Sequence, residues 1–124
     1  MLTPHPLEAA RLLGCNAHHV QTDRLQAAQE LAQRFSCIIA LKGSGTIVAA
    51  PGQTPVINPT GNARLATAGT GDVLAGMVAA ALASGVDAFN AASNAVYQHG
   101  LSADQWTNTR VLVAGELALG LRTM

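Results

Sequence analysis

The sequence predicts an α/β layer structure. Three observations carry this reading. Cys37-Ile38-Ile39-Ala40-Leu41 is a continuous apolar run rich in β-branched residues, the pattern of a strand buried on both faces. Segments with helical spacing precede and follow it. Glycine-bearing turns, Lys42 to Thr46 and Pro51 to Gln53, punctuate the stretch between.

In chain order, Pro4 and Pro6 precede a short helical pattern from Leu7 to Leu13. Proline suits a first turn, where its missing N–H would be unpaired anyway, and Gly14 fits the C-terminus. Thr22 or Asp23 caps a second helix to about Phe35, with Leu25, Ala28, Leu31, Ala32 and Phe35 on one face. His18 and His19 fall in the loop before it. After the buried run, Ile47 to Ala50 reads as a second strand, and Pro55 to Asn58 as a short edge strand, since proline cannot donate to a ladder. Asn58 to Gly71 is irregular. A helix starts near Asp72 and ends near Ser84-Gly85. Asp87 caps the next, about Ala88 to Asp104, which carries His99, and a last helix runs from about Val111 to Leu121. One long buried strand is evident, and a central strand needs neighbours on both sides. The sequence reads as part of a larger sheet.

The chain has 124 residues, the size of one domain. Charged residues make up 11% and the formal net charge is zero, which argues against a nucleic-acid binder with its basic stripe. The hydrophobic fraction of 49% argues against disorder. Aromatics are only 3%, so aliphatic side chains must build the core. A surface this short of charge suggests that part of it is covered. Cys15 and Cys37 form neither a disulfide framework nor a zinc site and read as reduced core thiols. No histidine has metal-ligand spacing, so no metal site is expected. Neither a leader nor a membrane span is visible, and the cytoplasm is the expected compartment.

The most informative segment is Ala68-Gly69-Thr70-Gly71-Asp72, placed where a helix begins. The first amides of a helix are unpaired and carry the positive end of its dipole, so Gly69, Thr70 and Gly71 form an anion hole suited to phosphate. A carboxylate there repels phosphate. It makes sense if Asp72 faces a hydroxyl that must lose a proton before attacking phosphorus. The bland alternative is that Asp72 caps the helix and the glycines only turn the chain. Lys42, Gly43, Ser44, Gly45 and Thr46 could present amides to a nucleotide at the carboxyl end of a strand, or be a hairpin turn with a solvated lysine. The lysine precedes the glycines, so this is no Walker A loop. His5, between two prolines, is either a stiffly held ligand contact or an ordinary loop histidine.

Taken together, three motifs carry a resemblance: Leu2-Thr3-Pro4-His5-Pro6 with Glu8, Leu41 to Thr46, and Asn58-Pro59-Thr60-Gly61-Asn62 running on to Gly76. With the helix around His99-Gly100, the chain resembles the C-terminal part of the ADP-dependent NAD(P)H-hydrate dehydratase family. The resemblance implies a ribokinase-like three-layer αβα fold, represented by its C-terminal half, with residues 1–124 as one portion and the N-terminal half absent. It implies that Lys42, Gly43, Ser44, Gly45, Thr46 and Gly71 hold the adenine nucleotide, that His5 and Asp72 contact the substrate, and that Asp72 is catalytic. It implies ADP (or ATP) as co-substrate with Mg²⁺, and NAD(P)HX, the hydrated and redox-dead form of NADH or NADPH, as substrate. This chain has Leu7 where the family often has glycine before the glutamate, and Ala68 where it often has a further glycine. The incomplete sheet predicts self-association into a homo-oligomer. Two other readings stand: a ribokinase-like kinase of a small hydroxymethyl compound, and an inactive nucleotide-binding fragment.

Overall fold

The computed structural model describes residues 1–121. Three helices come first: α1 (Pro6–Leu13), α2 (Ala17–Thr22) and α3 (Arg24–Phe35). A hairpin and edge strand follow: β1 (Ile39–Leu41), β2 (Ile47–Ala49) and β3 (Val56–Ile57). A single 3₁₀ turn, Ala63–Leu65, precedes α4 (Thr70–Ala83), α5 (Ala88–Asp104) and α6 (Ala114–Gly120).

Alternation along the strands sorts the core into two layers. Ile39, Leu41, Ile47 and Ala49 face α1, α2 and α3, where they meet Ala9, Val20, Ala28 and Leu31. Ala40 and Val48 face the other way, toward Leu74 and Val78 of α4 and Ala92 and Val96 of α5. β1 is buried on both faces, as its apolar run predicts. The result is helices, sheet, helices, the three-layer αβα arrangement expected.

The sheet has the order β1-β2-β3, all antiparallel, with Leu41 opposite Ile47 and Val48 opposite Val56. On its other side β1 meets the N-terminal segment in parallel. The Leu2 amide donates to the Ile38 carbonyl, and the Ala40 and Lys42 amides donate to the carbonyls of Leu2 and Pro4, each at 2.9 Å. The central strand is thus flanked on both sides, by a short parallel segment and by a hairpin.

Capping accounts for the helix limits. His5 Nδ1 accepts the Glu8 amide at 3.1 Å while Glu8 Oε2 accepts the His5 amide at 2.8 Å, a reciprocal cap for α1. That amide bond holds the Glu8 carboxyl below its ordinary value. Asp23 caps α3 and Asp87 caps α5 through Gln26 and Asn90 amides. Three expectations need correction. His18 and His19 lie on α2, which Asn16 caps by accepting the His19 amide at 2.8 Å, and not in a loop. α4 begins at Thr70 rather than near Asp72, because Gly69 in the left-handed region (φ +87°) serves as its N-cap. α6 begins at Ala114 rather than near Val111, which is exposed.

α4 carries one charge, Asp72, yet Ala75, Gly76, Ala79, Ala80 and Leu82 are exposed. A helix apolar all round is ordinarily covered on every side. Among the described residues no helix is long and apolar enough to cross a membrane.

Candidate functional site

A cavity of about 490 Å³ opens at the carboxyl end of β1, within the size range of small-molecule sites. Three walls enclose it, and each has a separate physical cause.

The first wall is the β1–β2 connection, Lys42 to Thr46. Thr46 Oγ1 bridges it, donating to the Gly43 carbonyl at 3.1 Å and accepting the Gly43 amide at 3.4 Å. Gly43 has φ +153°, which side chains avoid, and a Cβ there would lie 2.6 Å from an Arg24 guanidinium nitrogen. Arg24, on α3, donates to the carbonyls of Ser44 (2.6 Å), Leu41 (3.2 Å) and Gly45 (3.3 Å).

The second wall is Asn58 to Asn62, lashed to α5. Asn58 Nδ2 donates to the Val96 carbonyl at 3.4 Å and Thr60 Oγ1 to the Tyr97 carbonyl at 2.8 Å. Asp104 closes the loop: its two oxygens accept the Gly61 amide and Asn62 Nδ2, each at 2.8 Å. Helix and loop approach so closely that Gly100 has no room for a side chain.

The third wall is the start of α4. The Asp72 and Val73 amides donate to the Gly69 carbonyl at 3.1 and 3.2 Å, and the Thr70 amide to Thr67 at 3.3 Å. Among the described residues the Gly71 amide has no acceptor. Lys42 Nζ sits above it, 3.0 Å from where a Gly71 Cβ would be. An ammonium thus lies against the first turn of a helix, where unpaired amides and the dipole already favour an anion such as phosphate. Gly71→Ala tests this. The helical backbone tolerates alanine, so the urea-derived stability should hold or rise by up to about 1 kcal/mol. The methyl displaces Lys42, so calorimetric ADP affinity should fall by about tenfold.

His99 of α5 supports this wall. It is buried, and its Nε2–H donates to the Thr70 carbonyl at 2.8 Å, tying α5 to the first turn of α4. Burial lowers its pKa from the ordinary 6.5; the bond to Thr70 opposes this and the Lys42 charge adds to it. The unfolded chain therefore binds this proton more readily than the folded one. Stability from His99 is complete above the unfolded value and is lost as pH falls through the lower folded value. Urea midpoints should begin to drop as pH falls past the ordinary 6.5 and continue to drop below it, and His99→Gln should flatten that drop.

Of the residues singled out in the sequence, Lys42, Gly43, Ser44, Gly45, Thr46, Thr70 and Gly71 line the cavity together. Gly69, Asp72 and His5 do not. Asp72 is exposed, one residue beyond Gly71, and among the described residues its carboxylate has no hydrogen-bond partner. His5 is engaged in the α1 cap, with its Nε2 3.4 Å from Glu8 Oε1. Sequence reasoning gave no separate role to Arg24, Asp104 or His99. Arg24 had a signal: a cation at the first position of a helix opposes the dipole and calls for a tertiary reason. The cavity lining contains no carboxylate, and among the described residues no cluster of three His, Cys, Asp or Glu could hold a metal.

The family model for NAD(P)H-hydrate dehydratase matches residues 1–121. The chain is 46% identical over 118 residues to the ADP-dependent (S)-NAD(P)H-hydrate dehydratase of Neisseria meningitidis serogroup B, covering 95% of this chain and 40% of that protein. It is 44% identical over 104 residues to the bifunctional NAD(P)H-hydrate repair enzyme of Escherichia coli, covering 84% of this chain and 20% of that protein. The ADP/ATP-dependent NAD(P)H-hydrate dehydratase of Bacillus subtilis, co-crystallised with ATP and Mg²⁺, superposes with a TM-score of 0.91 at 40% identity, over 98% of this chain and 46% of that one. A ribokinase-like superfamily protein of Enterococcus faecalis superposes at 0.81 with 30% identity, over 98% of this chain and 42% of that one. The chain therefore spans less than half the length of these relatives, and its fold is ribokinase-like. By motif, fold and sequence, the chain belongs to the NAD(P)H-hydrate dehydratase family.

Proposed function

We propose that this chain is the C-terminal, nucleotide-binding portion of an enzyme that dehydrates (S)-NAD(P)HX at the expense of ADP, releasing NAD(P)H, AMP and phosphate. The observation that carries the reading is the Lys42 ammonium lying against Gly71 at the start of α4, beside a glycine loop lining the same cavity. Lys42 to Thr46 and Gly71 hold the adenine nucleotide. His5 and Asp72 lie outside the cavity and meet the hydrated nicotinamide from the open side.

Hydroxide is a poor leaving group, so the chemistry must convert it. Asp72 takes the proton of the ring hydroxyl, and the freed oxygen attacks the terminal phosphorus of ADP. The bond to AMP breaks as the new O–P bond forms. Gly69 to Gly71 and Lys42 stabilise the charge on the moving phosphoryl group. The ring nitrogen then expels phosphate, a proton leaves the adjacent carbon, and the ring double bond returns. Mg²⁺ would come with the nucleotide phosphates, which supply oxygen ligands for it. The apolar outer face of α4 supports cover by further chain or by a second copy.

The test is calorimetric titration with AMP in the presence of Mg²⁺, followed by phosphate release from ADP with NADHX. Saturable AMP binding with NADH and free phosphate as products is expected. A persisting phosphorylated product means a kinase instead. Binding without turnover means that this portion holds nucleotide only, and no binding overturns the nucleotide site.

A further inference from the structure

We propose that Arg24 is a positioning residue of the nucleotide site: from behind the Lys42–Thr46 loop its guanidinium holds the carbonyls of Leu41, Ser44 and Gly45, turning the loop amides toward the cavity. The proposal rests on the nucleotide reading above.

Four observations carry it. First, Arg24 occupies the first position of α3, where the helix dipole disfavours a cation. Local physics does not explain it, so its reason is tertiary. Second, among the described residues no carboxylate pairs with it. Its hydrogen-bond acceptors are the three loop carbonyls, and its buried Nε has no partner. The guanidinium is placed to serve the loop, even at the cost of an unmet donor. Third, the fit is mutual. Gly43 lies against the guanidinium so closely that a Cβ would stand 2.6 Å from one nitrogen and 3.0 Å from the central carbon. Only glycine there lets the loop rest on Arg24.

Fourth, peptide geometry converts this grip into an orientation. In a trans peptide the C=O and the following N–H point in opposite directions. Carbonyls of Leu41, Ser44 and Gly45 drawn to Arg24 therefore turn the amides of Lys42, Gly45 and Thr46 away from it. The Lys42 amide indeed bonds the Pro4 carbonyl at 2.9 Å, on the far side. Gly45 and Thr46 line the cavity and Arg24 does not. A planar fork reaches several acceptors at once, which an ammonium cannot do.

The experiment compares the chain with its Arg24→Lys and Arg24→Gln variants. Amide hydrogen exchange is read at Gly43 to Thr46 without ligand, AMP affinity by calorimetry, and global stability by urea. Exchange in the loop should quicken, and AMP affinity should fall by about 10- to 100-fold, in both variants, the range for losing charge-assisted hydrogen bonds. The urea midpoint should move little. In a third variant, Arg24→Ala, millimolar guanidinium ion should restore part of the lost affinity, and it should restore none of that of Arg24→Lys. Unchanged loop exchange in Arg24→Lys overturns the role, whatever AMP does. Quickened exchange with unchanged AMP affinity also overturns it, leaving a loop anchor without function. If the unaltered chain fails to bind AMP, the nucleotide reading fails and takes the ligand half of this proposal with it. Loop exchange still shows whether Arg24 orders the loop.

Discussion

Asp72→Asn is expected to lower phosphate release from ADP and NADHX by about 10²- to 10⁴-fold, the scale of a lost general base. Affinity for AMP should hold. Asparagine keeps the shape of aspartate but cannot accept the hydroxyl proton. Asp72 follows Gly71 by one residue in the first turn of α4, so on the proposed reading it stands at the same helix end as the transferring phosphoryl group. Its carboxylate is exposed and, among the described residues, unpartnered, as a base awaiting substrate should be. AMP lacks the phosphoryl group that moves, so its binding reads the nucleotide site alone. The helix dipole favours aspartate here by only about 0.3–1 kcal/mol, so lost stability does not account for the fall. Turnover within the range of the unaltered chain would remove Asp72 from the mechanism.

Gly100→Ala should be the most damaging glycine-to-alanine change among the described residues. Its Cβ would lie 2.7 Å from the Thr60 carbonyl carbon and 2.8 Å from the Gly61 nitrogen, both backbone. Backbone cannot swing aside as the Lys42 side chain can. The expected cost is about 1–3 kcal/mol, the range for overpacking, despite alanine's better helix propensity. The same push moves Asn58 to Asn62 off α5, so AMP affinity should fall by about tenfold or more. Urea midpoint and calorimetry measured together check this. An unchanged midpoint would show that loop and helix are not locked.

Local signals in the sequence were legible where one short segment decides its own structure. The apolar run before Lys42 announced β1, and the carboxylates of Asp23 and Asp87 announced the starts of α3 and α5. α2 was missed because six residues show no clear period and its cap, Asn16, stands among turn-forming neighbours. The motif around Gly71 was legible as a glycine-led helix start, and the structure puts Thr70 and Gly71 on the cavity wall. What the sequence hid was the support behind each motif. Asn62 and Asp104 meet across 42 positions, and Arg24 reaches Ser44 across 20. No periodicity joins residues so far apart. Only the three-layer packing brings them together. His5 is a different case: its cap with Glu8 is local, three residues apart, and readable from the capping-box spacing alone.

The anchoring of the Asn58–Asn62 loop also sets an order of events during synthesis. Its partners on α5, Val96, Tyr97 and Asp104, lie 37 to 43 positions downstream. Until the ribosome has released α5, this wall is tied only to the hairpin, through the Asn58 amide and the Thr46 carbonyl, and the cavity lacks its α5 side. Nucleotide therefore cannot template the early folding of the chain, and it rewards only a finished one. A nascent or truncated chain that ends before Asp104 should gain no thermal protection from AMP.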